Sequence, residues 1–139
     1  MEKTAAALLA ARYYLRVARD FEKGVRILET RRDEMGNRVS SGVMYWLAQG
    51  YNRWKGPQRA LDCLVSWERS GGGITAKRVR ASFMERNAIY GTELSSLLED
   101  LVAALPDNAS VHFLRARALL RKGERQAAQE SALRALELV

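Results

Sequence analysis

The chain has 139 residues, about the length of one ordinary domain. It is 47% apolar and 28% charged, which excludes a disordered polypeptide and allows a buried core. The net charge is +7, but acids are interleaved with the bases, as in Arg19-Asp20 and Arg32-Asp33-Glu34. No long Lys/Arg run of the kind that grips phosphates or lipid headgroups is present.

The N-terminal apolar run Ala5 to Ala11 is too short to span a bilayer and lacks a strongly basic leader, so it reads as helix rather than signal peptide. Leu8, Ala11, Leu15 and Val17 extend that helix from about Lys3 to Arg19. Asp20-Phe21-Glu22-Lys23 breaks it, and a second helix follows through Gly24, Val25, Ile27 and Leu28. Gly36 and Asn37, both tolerant of a left-handed cap, end this pair.

Ser40 or Ser41 can cap the next helix by accepting from a free backbone N–H. That helix carries Val43, Met44, Leu47, Ala48 and Tyr51 and stops at Lys55-Gly56-Pro57. Pro57 suits the first turn of its partner, which carries Ala60, Leu61, Leu64 and Val65. Ser70-Gly71-Gly72-Gly73 is expected as an extended turn, since no phosphate-loop pattern follows it. A fifth helix, from about Thr75 to Ile89, has the weakest pattern, with Arg78 and Glu85 where apolar residues are wanted. Thr92 is a candidate cap for the sixth, which carries Leu94, Leu97, Leu98, Leu101, Val102 and Leu105 and closes at Pro106-Asp107.

The last stretch holds two more helical runs, meeting at Lys122-Gly123-Glu124. Val111, Leu114, Ala116, Leu119 and Leu120 mark the first, and Ala127, Ala128, Ala132, Leu133, Ala135, Leu136 and Leu138 the second. Spacings of three and four put each set on one face. The pair resembles a tetratricopeptide repeat, a helix–turn–helix unit of ~34 residues with small residues where its helices meet. Ala116, Leu119, Gly123, Ala128, Ala132, Ala135 and Leu138 match that pattern, while His112 stands where tryptophan is usual. Gly24, Ala60, Leu94 and Ala128 recur at about one such period, at the position of close helix contact. The resemblance therefore implies an all-α fold: a single tetratricopeptide-like α-solenoid domain over 1-139. Its repeats would run over about 3-37, 40-73, 74-107 and 108-139, stacked into a right-handed superhelix.

In this family the first helix of each unit lines a concave groove. Carried over position by position, the resemblance implies Leu9, Tyr13, Arg16 and Val17 from the first unit and Tyr45, Gln49, Asn52 and Arg53 from the second. The third gives Val79, Phe83, Arg86 and Asn87, and the fourth Phe113, Arg117, Leu120 and Arg121. Large apolar residues in such a set suit an amphipathic helix, arginines fork to carboxylates, and the amides can hold a peptide backbone. Leu9 and Tyr13 stand where the family's carboxylate clamp has lysine and asparagine, so a C-terminal chaperone tail is not the expected ligand. Trp46, Trp54 and Trp67 are expected in the core or between repeats rather than in a ligand cage.

Catalysis is not expected. One histidine, His112, and one cysteine, Cys63, cannot build a His/Cys metal cluster of three or four ligands. Glu99 and Asp100 are adjacent in sequence and face apart on a helix. No cofactor is implied. The lone Cys63 fits a reducing, cytoplasmic setting and reads as a small buried hydrophobe.

The leading expectation is a non-enzymatic adaptor that binds an acidic or amphipathic segment of another protein. One alternative is a small chaperone of a bacterial secretion-system subunit, which has similar size and architecture. A less favoured one is an RNA-binding helical repeat, against which the mixed-sign surface argues. The last helix is also expected to leave part of Ala127, Ala128, Leu133 or Leu136 uncovered, as a surface for another chain or a second copy.

Overall fold

The computed structural model describes residues 2–139, and among them the regular structure is entirely helical. Eight α-helices follow one another: α1 Lys3–Tyr13, α2 Phe21–Met35, α3 Ser41–Lys55, α4 Pro57–Trp67, α5 Gly73–Arg86, α6 Thr92–Ala104, α7 Ala109–Arg121 and α8 Arg125–Glu137. The chain divides into two compact units, Met1–Arg80 and Ala81–Val139, with α5 running from the first into the second.

In the first unit α1 packs on α2 and α3, α2 on α3, and α3 on α4. Short polar caps set the helix starts. Asp20 accepts from Lys23 N at 3.2 Å, and Ser40 Oγ from Val43 N at 3.2 Å, each occupying a donor the first turn leaves free. Pro57 opens α4, where its missing N–H costs nothing. A π-helical turn, Tyr14–Ala18, widens the end of α1, and the chain reverses at Arg19 with φ +55°.

The core of this unit is built from Ala11, Leu15, Val25, Leu28, Val43, Met44, Leu47, Ala48, Ala60 and Leu64, all buried. Two glycines let the helices approach. A Cβ on Gly24 would lie 2.9 Å from the Leu15 side chain, and one on Gly50 would lie 2.7 Å from Val25 Cγ2. Gly24 and Ala60, the small residues read from the sequence as contact positions, are both buried.

The second unit holds the end of α5 and helices α6, α7 and α8. In it α7 packs on α8, and α6 on α7. Leu94, Leu97, Leu98, Leu101, Val111, Ala116, Ala118, Ala128 and Ala135 are buried. Two details differ from the sequence expectations. Thr92 does not cap α6: it is the first helical residue, and Gly91 holds the cap position with no side-chain bond. Asn108 caps α7, its Oδ1 accepting from Val111 N at 3.1 Å. Ala128 is covered, because it sits on the α8 stripe that meets α7, whereas Leu133 and Leu136 are exposed.

Candidate protein-interaction faces

In the second unit, α7 turns four residues outward. Phe113 is 55% exposed, Leu120 63%, and the side chains of Arg117 and Arg121 are 38% and 52% exposed. Their spacing of four, seven and eight residues puts them on one side of the helix. The opposite side is committed to packing through Val111, His112, Ala116 and Ala118. His112 is buried there with Nε2 2.7 Å from the Pro106 carbonyl oxygen, so its polar need is met within the fold.

The two arginines converge on one acid. Glu85, on the last turn of α5, has a side chain with no solvent exposure. Arg117 Nε lies 3.1 Å from its Oε1 and Arg121 Nε 3.8 Å from the same oxygen. Neither oxygen of Glu85 receives a well-directed hydrogen bond, so its charge is balanced by proximity to two cations rather than by N–H donors. The sequence marked Glu85 as out of place in a helix that should be apolar there. The structure supplies the reason it is tolerated: two guanidinium groups one turn apart on α7.

Aromatic rings flank the pair. Arg117 lies over Phe113 with 5.7 Å to the ring centroid, and Arg121 over Tyr90 at 6.0 Å. Tyr90 is brought there by the sharp exit from α5. Ala88 takes the left-handed conformation, φ +58°, Ile89 N donates to Met84 O at 2.8 Å, and the Tyr90 hydroxyl donates to the Glu85 carbonyl at 3.3 Å. Asn87 Nδ2 donates to Phe83 O at 2.8 Å, which ties the end of the helix.

The first unit has its own outward face. Leu9, Tyr13 and Val17 are exposed at four-residue spacing along α1 and the π-helical turn. Arg16 is exposed beside them and lies over the Trp46 ring at 5.6 Å, with Arg12 over the same ring at 5.2 Å. Tyr45 meets Trp46 edge-on at 5.8 Å, and its hydroxyl accepts from Gln49 Nε2 at 2.9 Å. Trp46 is therefore part-buried beneath two guanidinium groups and is not an open cage. Of the remaining first-unit positions, Arg53 is exposed and Asn52 and Val79 are part-buried.

Phe83 is a correction. It is wholly buried and cannot contact a partner, because α5 turns Phe83, Met84 and Glu85 all inward at its end. Arg86, next along, is exposed. The helical pattern could not fix this, since α5 has a weak apolar stripe and a charged residue inside it.

A cleft of about 740 Å³ opens in the first unit beside Arg32, Tyr51, Arg59 and Cys63. Its charges are balanced and engaged: Arg32 Nε donates to Asp33 at 3.1 Å, and Gln58 donates to Asp62 at 2.9 Å. Arg59 lies over the Tyr51 ring at 4.4 Å, and the Tyr51 hydroxyl donates to Glu29. Burial pushes the Cys63 thiol above its usual range, which disfavours the reactive thiolate. Among the described residues no group of His, Cys, Asp and Glu could hold a metal ion, and no helix is long and apolar enough to cross a membrane.

No protein-family model matches the chain, and no curated protein matches it. Solved structures do. The fold is similar to MamA residues 41 to the end from Desulfovibrio magneticus RS-1, with a TM-score of 0.58 at 17% identity, over 99% of this chain and 76% of that one. A MamA RS-1 ArsTM double mutant matches with the same values. MamA is a tetratricopeptide-like α-solenoid, so the fold class is all-α helical repeat.

Proposed function

We propose that the protein is a non-enzymatic adaptor that binds an acidic, amphipathic helical or extended segment of another protein. The observation that carries this is the α7 face, where Phe113 and Leu120 stand exposed beside Arg117 and Arg121. An isolated exposed leucine needs no explanation, but two large apolar groups within two turns, flanked by two cations, form a surface with a partner chemistry. The apolar pair suits the greasy side of a helix, and the guanidinium groups suit acids along its edge. The first unit offers a comparable face in Leu9, Tyr13, Arg16 and Val17, with Tyr45 and Gln49 close by through Trp46. In this proposal the helix pairs act as repeats with the boundaries expected from the sequence, and the first helix of each pair presents the binding residues.

The test is a pull-down read by mass spectrometry, comparing the wild-type chain with Phe113→Ser/Leu120→Ser. Both residues are exposed, so the variant should keep the fold, within about 0.5 kcal/mol per site. Loss of the acidic-segment proteins from the captured set, with an unchanged circular dichroism spectrum, is expected. An unchanged captured set rules the α7 face out.

A further inference from the structure

Glu85 does more than occupy the interior. It lies beneath the two cations of the α7 face, and it shares them through a single oxygen. In both contacts the nitrogen nearest Glu85 is Nε, while both side chains remain part-exposed. The terminal nitrogens of each guanidinium are thus left for another acceptor. Among the described residues neither arginine has a second acid within ion-pair distance. The local charge is therefore two cations less one buried anion.

We infer that Glu85 tunes the α7 face to accept one carboxylate, from an Asp or Glu side chain of the partner segment, and to disfavour a phosphorylated side chain at the same place. The inference rests on the α7 face being the binding face proposed above. A carboxylate brings one negative charge, and the cluster closes as two acids bridged by two guanidinium groups. A phosphate brings a charge of about −1.5 to −2 near neutral pH. It would have to compete with Glu85 for the same two cations. Drawing them outward leaves a fully buried carboxylate with less compensation, and an uncompensated buried charge is strongly unfavourable. Glu85 also holds the guanidinium groups near their working positions before a partner arrives, which lowers the ordering cost of binding. Without Glu85 the usual preference of paired arginines for a dianion would return.

Two synthetic peptides of about 20 residues, long enough for a helix of some 30 Å, serve as probes. Each has leucines along one face and glutamates beside them, and they differ at one central position, Glu in one and phosphoserine in the other. Affinities are read by fluorescence anisotropy near neutral pH for the wild type and for Glu85→Gln. The wild type is expected to bind the Glu peptide about tenfold more tightly, a ratio that corresponds to about 1.4 kcal/mol. In Glu85→Gln the ratio should fall to about one or invert. A wild-type protein that binds the phosphopeptide equally well or better overturns the inference, as does an unchanged ratio in Glu85→Gln. The wild-type ratio decides alone if Glu85→Gln does not fold by circular dichroism. Failure of both peptides to bind, or binding indifferent to Phe113→Ser/Leu120→Ser, removes the binding face itself and the inference with it.

Discussion

Arg117 Nε lies 3.1 Å from Oε1 of Glu85, a carboxylate with no solvent exposure whose two oxygens receive no well-directed hydrogen bond. This is one side of a compromise. The pair brings charge into the interior of the second unit, and it holds a cation at the surface of α7. The stability consequence follows from the asymmetry between removing one partner and removing both. Arg117→Ala leaves Glu85 with only Arg121, at 3.8 Å. The expected loss is about 1–2 kcal/mol, below the 3–5 of a fully buried pair because Arg117 is part-exposed to water. Adding Glu85→Leu to Arg117→Ala should recover most of it. Urea denaturation of the single and double variants checks both numbers, and a double variant no more stable than the single one would contradict the account.

Ala88 should be easier to improve than to damage. Its φ of +58° places Cβ close to a carbonyl oxygen, a conformation that costs an L-residue about 1–2 kcal/mol. The residue is exposed, so no packing is lost with its methyl group. Ala88→Gly is expected to stabilise the protein by about 0.5–1 kcal/mol after the extra chain entropy of glycine is counted. A lower denaturation midpoint for Ala88→Gly would show that the strain is absorbed elsewhere.

The opposite holds at Gly50. A side chain there meets Val25 Cγ2 at 2.7 Å, in the interior of the first unit where α2 and α3 pack. Gly50→Val should cost about 1–3 kcal/mol, the range for overpacking a well-filled core. The gain in helix propensity over glycine, less than about 1 kcal/mol, does not cancel it. Thermal melts of Gly50→Val and of Gly50→Val/Val25→Ala provide the check. The second change opens space at the contacting methyl and should restore part of the loss.

Alkaline pH should weaken the first unit through Tyr51. Burial, and then the hydrogen bond to Glu29, raise its hydroxyl above the ordinary tyrosine value. A raised native value means the folded state holds its proton more tightly than the unfolded chain does. The associated stability is complete below about pH 10, where both states are protonated, and is lost as pH rises through the native value. Tyr51→Phe removes this term. It should lose about 1 kcal/mol near neutral pH with the hydrogen bond, yet show a shallower fall above about pH 10. Parallel slopes for Tyr51→Phe and wild type would exclude Tyr51 as the source.

Much of the architecture was legible in the sequence because local chemistry dictates it. Spacings of three and four among Leu94, Leu97, Leu98 and Leu101 leave one side of α6 to bury, and all four are buried. Gly56, Pro57 and Gly123 punctuate the chain where they stand in turns or at a helix start, because each suits a backbone conformation or a missing donor that ordinary residues do not. Ser40 caps α3 as its position before an apolar-periodic run implied. These features require only nearest neighbours on the chain.

The details of the α7 face required the fold. The sequence placed Phe113, Arg117, Leu120 and Arg121 on one side of a helix, but helical spacing is equally consistent with a stripe that packs and a stripe that faces water. Only tertiary contact decided between them, burying Val111 and Ala116 and leaving the other side out. The same physics decided against Phe83, which has the composition of a binding residue and the position of a core one. Glu85 is the clearest case: the helical pattern put it where an apolar residue is wanted, but what makes an acid tolerable there is not visible until the two arginines more than thirty residues away are brought beside it. Long-range electrostatic compensation depends on distance in space, and distance in space is what a linear pattern does not carry.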